Sequence, residues 1–68
     1  MKVVLNGRDH ELRDGATLAD AVRAAAGDPD RRGIAVALEG EVVPRARWTE
    51  THVADGQAVE VLEARQGG

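Results

Sequence analysis

The residues that offer the most direct chemistry in this sequence are its last two, Gly67 and Gly68, in the run Arg65-Gln66-Gly67-Gly68. A terminal carboxylate is a poor acyl electrophile. It reacts only after another enzyme converts it to an acyl adenylate, whose AMP is a good leaving group. Any enzyme doing so must thread the terminus into a narrow ATP site. Glycine has no Cβ and takes extended and left-handed backbone conformations alike, so Gly67 and Gly68 enter where another residue would clash. The expectation is a chain whose terminus reacts and whose body presents it. The same residues also fit a glycine-rich end with no chemistry of its own.

The side chains add little that could build a site. His10 and His52 are far apart in sequence and match no metal-ligand spacing, and the chain has neither Ser nor Cys to accompany them. They read as ordinary surface or strand histidines. The acidic residues fall singly on turns and strand exteriors, a pattern of solvation and not of an acid/base pair. The segment "NGRDHELRDG" contains glycines but lacks the strand-to-helix geometry of a phosphate loop. No metal and no bound cofactor is expected.

Composition narrows the partners. A net charge of −3, with Trp48 as the single aromatic residue, argues against a nucleic-acid binder, which needs a basic surplus and stacking rings. The densest basic groups, "DPDRRG" and "PRAR", read as solvated loops. The apolar run near the start is broken by Asn6-Gly7 and is too short for a signal peptide or a membrane span. With no Cys there is no disulfide framework, which fits a reducing compartment, and the expected location is the cytoplasm. A chain of 68 residues makes one domain with a thin core.

The elements that must position the terminus follow from turn signals and periodicity. Asn6-Gly7 is the commonest pair for a two-residue hairpin turn, so 2–6 and 8–13 read as antiparallel strands with Val3, Leu5 and Leu12 facing inward. Thr17, with Asp20 three residues on, has the form of a helix N-cap. Leu18, Ala21, Val22 and Ala25 recur at helical spacing as a buried stripe, and Gly27 stops the helix. In "IAVAL", Ile34, Val36 and Leu38 share one face and Ala35 and Ala37 the other. Glu39-Gly40 turns into a short "EVV" strand that Pro44 closes, and "RARW" reads as one helical turn carrying Trp48. After the Asp55-Gly56 turn, "AVEVLEA" alternates with Val59 and Val61 inward and Glu60 and Leu62 outward.

One amphipathic helix must hide its stripe across a mixed sheet, and right-handed crossovers leave few arrangements. The economical one is an α+β β-grasp of four to five strands, with the first and last strands side by side in the middle. Residues 1–64 would form that domain and 65–68 a flexible tail. Leu62 and Val4, both facing outward, would form a small apolar patch for docking partners. Trp48 would cover one end of the core.

"VVLNG", "DGATLADAV", "GEVVPRARW" and "VADGQAVEVLEARQGG" together resemble the sulfur carrier protein of thiamine biosynthesis, the ThiS family, over the whole chain. Gly-Gly alone is shared with every ubiquitin-like carrier, whereas "VVPR" with Trp48 at this distance from the terminus is more specific. One departure is Glu39, where the family commonly has Asn before the glycine.

The resemblance implies a protein cosubstrate and not an enzyme. An adenylating enzyme of the ubiquitin-activating type would use Mg-ATP to form the Gly68 acyl adenylate. A persulfide sulfur donor would then leave a thiocarboxylate on Gly68, and thiazole synthase would take up that sulfur. The free carrier would be a monomer. Three alternatives stay open: the small subunit of molybdopterin synthase, a ubiquitin-like protein modifier, and a non-catalytic β-grasp binding module.

Overall fold

The strongest local signals sit at the turns, and they set the sheet. In the computed structural model, which describes residues 1–64, Asn6 and Gly7 take φ values of 51° and 80°. Two consecutive left-handed residues are what a type I′ hairpin turn requires. They join β1 (Lys2–Leu5) to β2 (Arg8–Glu11), with Leu5 opposite Arg8 and Lys2 opposite Glu11. Glu39 and Gly40 repeat the geometry at 51° and 83°, joining β3 (Ile34–Leu38) to β4 (Glu41–Val43). β5 (Ala58–Glu63) lies between the two hairpins, parallel to β1 and antiparallel to β3. The sheet order is therefore β2-β1-β5-β3-β4. This is the β-grasp expected from the sequence, with five strands; β1 and β2 end short of the expected 2–6 and 8–13, while β3 and β4 match their patterns.

A single helix, α1 (Leu18–Ala26), covers one face. Thr17 and Asp20 close a reciprocal capping box. The Thr17 hydroxyl accepts the Asp20 N–H at 3.4 Å and the Asp20 carboxylate accepts the Thr17 N–H at 2.9 Å. Two further N–H groups of the first turn go to the segment that follows β4, Leu18 to the Thr51 carbonyl at 2.9 Å and Ala19 to that of Trp48 at 3.3 Å. The donors that a helix start leaves over are thus taken up. Gly27 ends the helix at φ 88°, its N–H returning to the Arg23 carbonyl. Leu18, Ala19, Ala21 and Val22 are buried, and Ala26 is partly so. Ala25, expected on the buried stripe, is exposed. At 100° per residue it lies on the right side of the helix, but the last turn is left uncovered there.

The core is small and almost purely aliphatic. Val3, Leu5, Val36, Val59 and Val61 rise from the inner face of the sheet to meet the helix. Leu12, Ile34, Leu38 and Val43 pack partly against them. No polar or charged residue is buried among the described residues. Pro44 leads into a 3₁₀ turn, Arg45–Arg47, which delivers Trp48 to the core. The indole is 3% exposed, and its Nε1 donates to the Val43 carbonyl at 2.9 Å. Val53 and Ala16 are also buried and bonded to each other, Val53 N–H to Ala16 carbonyl at 2.9 Å. Neither belongs to a periodic segment, which is why hydrophobic spacing does not reveal them.

Two predictions follow from this packing. Trp48→Ala empties the largest side chain from a core that has no other aromatic, and should lower stability by about 3 to 5 kcal/mol in urea unfolding. The second concerns acid. The Thr17 N–H bond, followed by the nearby charges of Arg13 and Arg23, holds the Asp20 carboxyl below its ordinary 3.8, against a partial burial that would raise it. Its folded pKa is depressed, so its contribution is fully present above the unfolded value and is lost as pH falls through the folded one. Urea midpoints at pH 6 and pH 3 should therefore differ more for wild type than for Asp20→Asn, whose side chain does not titrate.

Candidate functional site

Strand alternation gives the sheet two different faces. The inner face carries Val3, Leu5, Val36, Val59 and Val61 beneath the helix. The outer face has no second layer among the described residues. There β5 presents Ala58, Glu60 and Leu62, β3 presents Ala35 and Ala37, and β4 presents Val42. Leu62 is 65% exposed and Val42 77% exposed, the two large apolar side chains left most open to solvent. The alanines between them are short, so Ala35, Ala37, Val42, Glu60 and Leu62, with Val36, line a shallow groove of about 160 Å³.

Register decides which predicted residues meet. Leu62 stands opposite Ala35, and Ala37 stands between Glu60 on one side and Val42 on the other. Val4 is half-buried on the same outer face, opposite Ala58 on β5 and Asp9 on β2. Glu60 therefore separates Val4 from Leu62 along β5, a span of four residues or about 13 Å at the usual strand rise. The apolar neighbours of Leu62 are Ala35, Ala37 and Val42 instead. A sequence signal for Val42 did exist, since a two-residue Glu39-Gly40 turn places Val42 opposite Ala37.

The remaining predicted site residues, Arg65, Gln66, Gly67 and Gly68, lie outside the described residues, as does the expected tail 65–68. Ala64, which precedes them, is bonded through its N–H to the Gly33 carbonyl at 2.6 Å.

His10 and His52 are exposed, the first opposite Val3 on β2 and the second in an isolated bridge with Thr17. Among the described residues no three His, Cys, Asp or Glu side chains group to hold a metal ion. No described helix is long and apolar enough to cross a membrane. The two basic groups that read as solvated loops are brought together, because Arg45 of "PRAR" donates to the carbonyls of Pro29 and Arg31 in "DPDRRG".

With that geometry in hand, comparison with known proteins is specific. A search of curated protein sequences finds no match. Among solved structures, the crystal structure of the thiamine biosynthesis protein ThiS from Geobacter metallireducens is similar at a TM-score of 0.77 and 28% identity, covering 100% of both chains. The solution structure of a thiamine biosynthesis protein from the same organism gives the same TM-score and identity, covering 100% of this chain and 88% of that one. The sequence model of the ThiS family matches residues 3–68, nearly the entire chain. By fold, by sequence and by the extent of both matches, the chain belongs to the ThiS family and is a small sulfur carrier.

Proposed function

We propose that the carried sulfur is a thiocarboxylate on Gly68, loaded by partners and delivered to thiazole synthase in thiamine biosynthesis. The observation that carries this reading is the place of the last strand. β5 is the central strand of the sheet, and the sequence runs on from it through Ala64 to Arg65-Gln66-Gly67-Gly68. In the first step a Gly68 carboxylate oxygen attacks the α-phosphorus of Mg-ATP on an adenylating enzyme of the ubiquitin-activating type, and pyrophosphate leaves. The terminal sulfur of a persulfide donor then attacks the acyl carbon and expels AMP. A thiol reductant splits the resulting S–S bond, and the thiocarboxylate remains. Transfer of that sulfur to the thiazole precursor returns the carboxylate, so the protein acts as a cosubstrate.

Docking falls to the outer sheet face. Leu62 lies closest in sequence to the reacting end, and the groove beside it offers apolar surface with one carboxylate, Glu60. A partner that carries an apolar projection and a basic group fits it, and the residues after Ala64 then reach that partner's nucleotide site. Val4 contributes at the far margin of the same face.

Two expected outcomes test the parts separately. Leu62→Glu should keep the circular dichroism spectrum and raise the KM for ATP–pyrophosphate exchange with the adenylating enzyme, because the side chain is exposed and contributes little to the core. Unchanged kinetics would remove the groove from the docking surface. Deletion of Gly68, or addition of one residue after it, should leave folding intact and abolish exchange. One residue moves the reacting carbon by about 3.3 to 3.6 Å in a reaction governed by positioning. Exchange at the wild-type rate without Gly68 would refute the adenylation site. Intact mass measurement of protein from cells supplies the complementary readout, a species with one oxygen replaced by sulfur.

A further inference from the structure

The loop between α1 and β3 is tied to the body at points that sheet pairing does not require. Arg45, on the 3₁₀ turn, donates from its guanidinium to the carbonyls of Pro29 and Arg31. Its Cζ also sits 4.5 Å from the ring centroid of Trp48, which is itself fixed in the core. Arg31 reaches the Glu63 carboxylate at 3.1 Å. The last loop residue, Gly33, accepts the Ala64 N–H. Glu63 ends β5, so the loop grips the strand where residues 65–68 follow.

The grip falls where β5 has pairing on one edge only. Its register with β1 stops at Val59, and the Asn6 side chain extends that edge only to the Val61 N–H, at 2.7 Å. From Leu62 onward the described strand partners are Ala35 and Ile34, and then Gly33. Gly33 has a φ of 78°, and a Cβ added there would stand 3.1 Å from the Ala64 carbonyl oxygen. Left-handed backbone and close approach both favour glycine at this position. The Arg31–Glu63 pair is largely solvated and adds little stability alone, so its effect is one of direction.

We propose that the loop 28–33, anchored by Arg45, is the positioning device for the reaction at Gly68, with Arg45 and Gly33 fixing where the C-terminal segment leaves the body. The inference rests on the adenylation reading above. Docking then depends on the outer sheet face and turnover on the direction of exit, so damage to the loop should reach kcat and spare KM.

The test compares wild type, Arg45→Gln, Arg45→Lys and Gly33→Ala, with circular dichroism as the folding control. Amide hydrogen exchange by NMR should show Ala64 exchanging about fivefold faster in all three variants, the loss of roughly one hydrogen bond's protection, with Val36 unchanged. ATP–pyrophosphate exchange should show kcat lowered about tenfold by misplacement of the reacting carbon, with KM held within about twofold. Lys keeps the charge but cannot bond two carbonyls in a fixed fork, so Arg45→Lys should behave like Arg45→Gln. Unchanged Ala64 exchange, or faster exchange with kcat intact, or a rise in KM alone, or full rescue by Lys would each overturn the proposal. Wild-type protein that supports no pyrophosphate exchange would instead overturn the adenylation reading, and the positioning role with it, while the amide measurement still reports whether the loop holds Ala64.

Discussion

Everything in this fold depends on satisfying the backbone of β5 along both edges. A central strand cannot turn to water for its hydrogen bonds, and unpaired buried amides cost free energy comparable to a lost bond. β3 covers one edge from Leu38 to Ile34. β1 covers the other for only two residues in register, Val4 with Ala58 and Leu5 with Val59. The shortfall is made up by turn residues. Asn6 donates its N–H to the Val59 carbonyl at 2.9 Å and accepts the Val61 N–H on its side-chain oxygen at 2.7 Å. The hairpin turn of the first strand pair is therefore also a clamp on the last strand. Once β5 is held, the two hairpins have fixed places, one face of the sheet needs a cover, and the capped helix supplies it.

The same constraint separates folding from chemistry. A thin core of valines, leucines, alanines and Trp48 leaves no room for buried charge, and none is present among the described residues. An unpaired charge buried in so small an interior would cost more than the core could offset. The body holds β5 in place and offers a surface. Its outer face suits that role because Ala35 and Ala37 are too short to cover the backbone between Val42 and Leu62.

Local rules were legible wherever one residue type dictates one backbone conformation. Asn6-Gly7, the Thr17 and Asp20 capping box, Gly27 and the inward valines of β5 are all readable from spacing and turn chemistry, and together they specify the β-grasp. What could not be read depends on register between segments distant in sequence. Val4 and Leu62 share a face, as alternation requires, yet the parallel pairing of Val4 with Ala58 keeps them apart. Arg45 sits in a run that looks solvated, and only the approach of the 28–33 loop gives its guanidinium two carbonyls to bind. Trp48 was legible by type, as the one aromatic available to a small core, and its Val43 partner was not.

Glu39 shows how such a clamp survives a poor turn residue. A left-handed conformation costs an ordinary L-residue roughly 1 to 2 kcal/mol, and Asn less because its side chain bonds locally. Glu39 adopts φ 51° without that advantage. It stands where the β3·β5 ladder runs out, its N–H donating to the Ala58 carbonyl at 2.9 Å. Its carboxylate accepts the Ala58 N–H in return at 2.6 Å. That reciprocal pair of hydrogen bonds offsets part of the strain. Asn6 and Glu39 thus solve one problem in two ways. Each ends a strand in a type I′ turn, and each turns its side chain on β5, Asn6 at Val61 and Glu39 at Ala58. The strand that leads to Gly67 and Gly68 is therefore gripped by turn residues of both hairpins, on opposite edges.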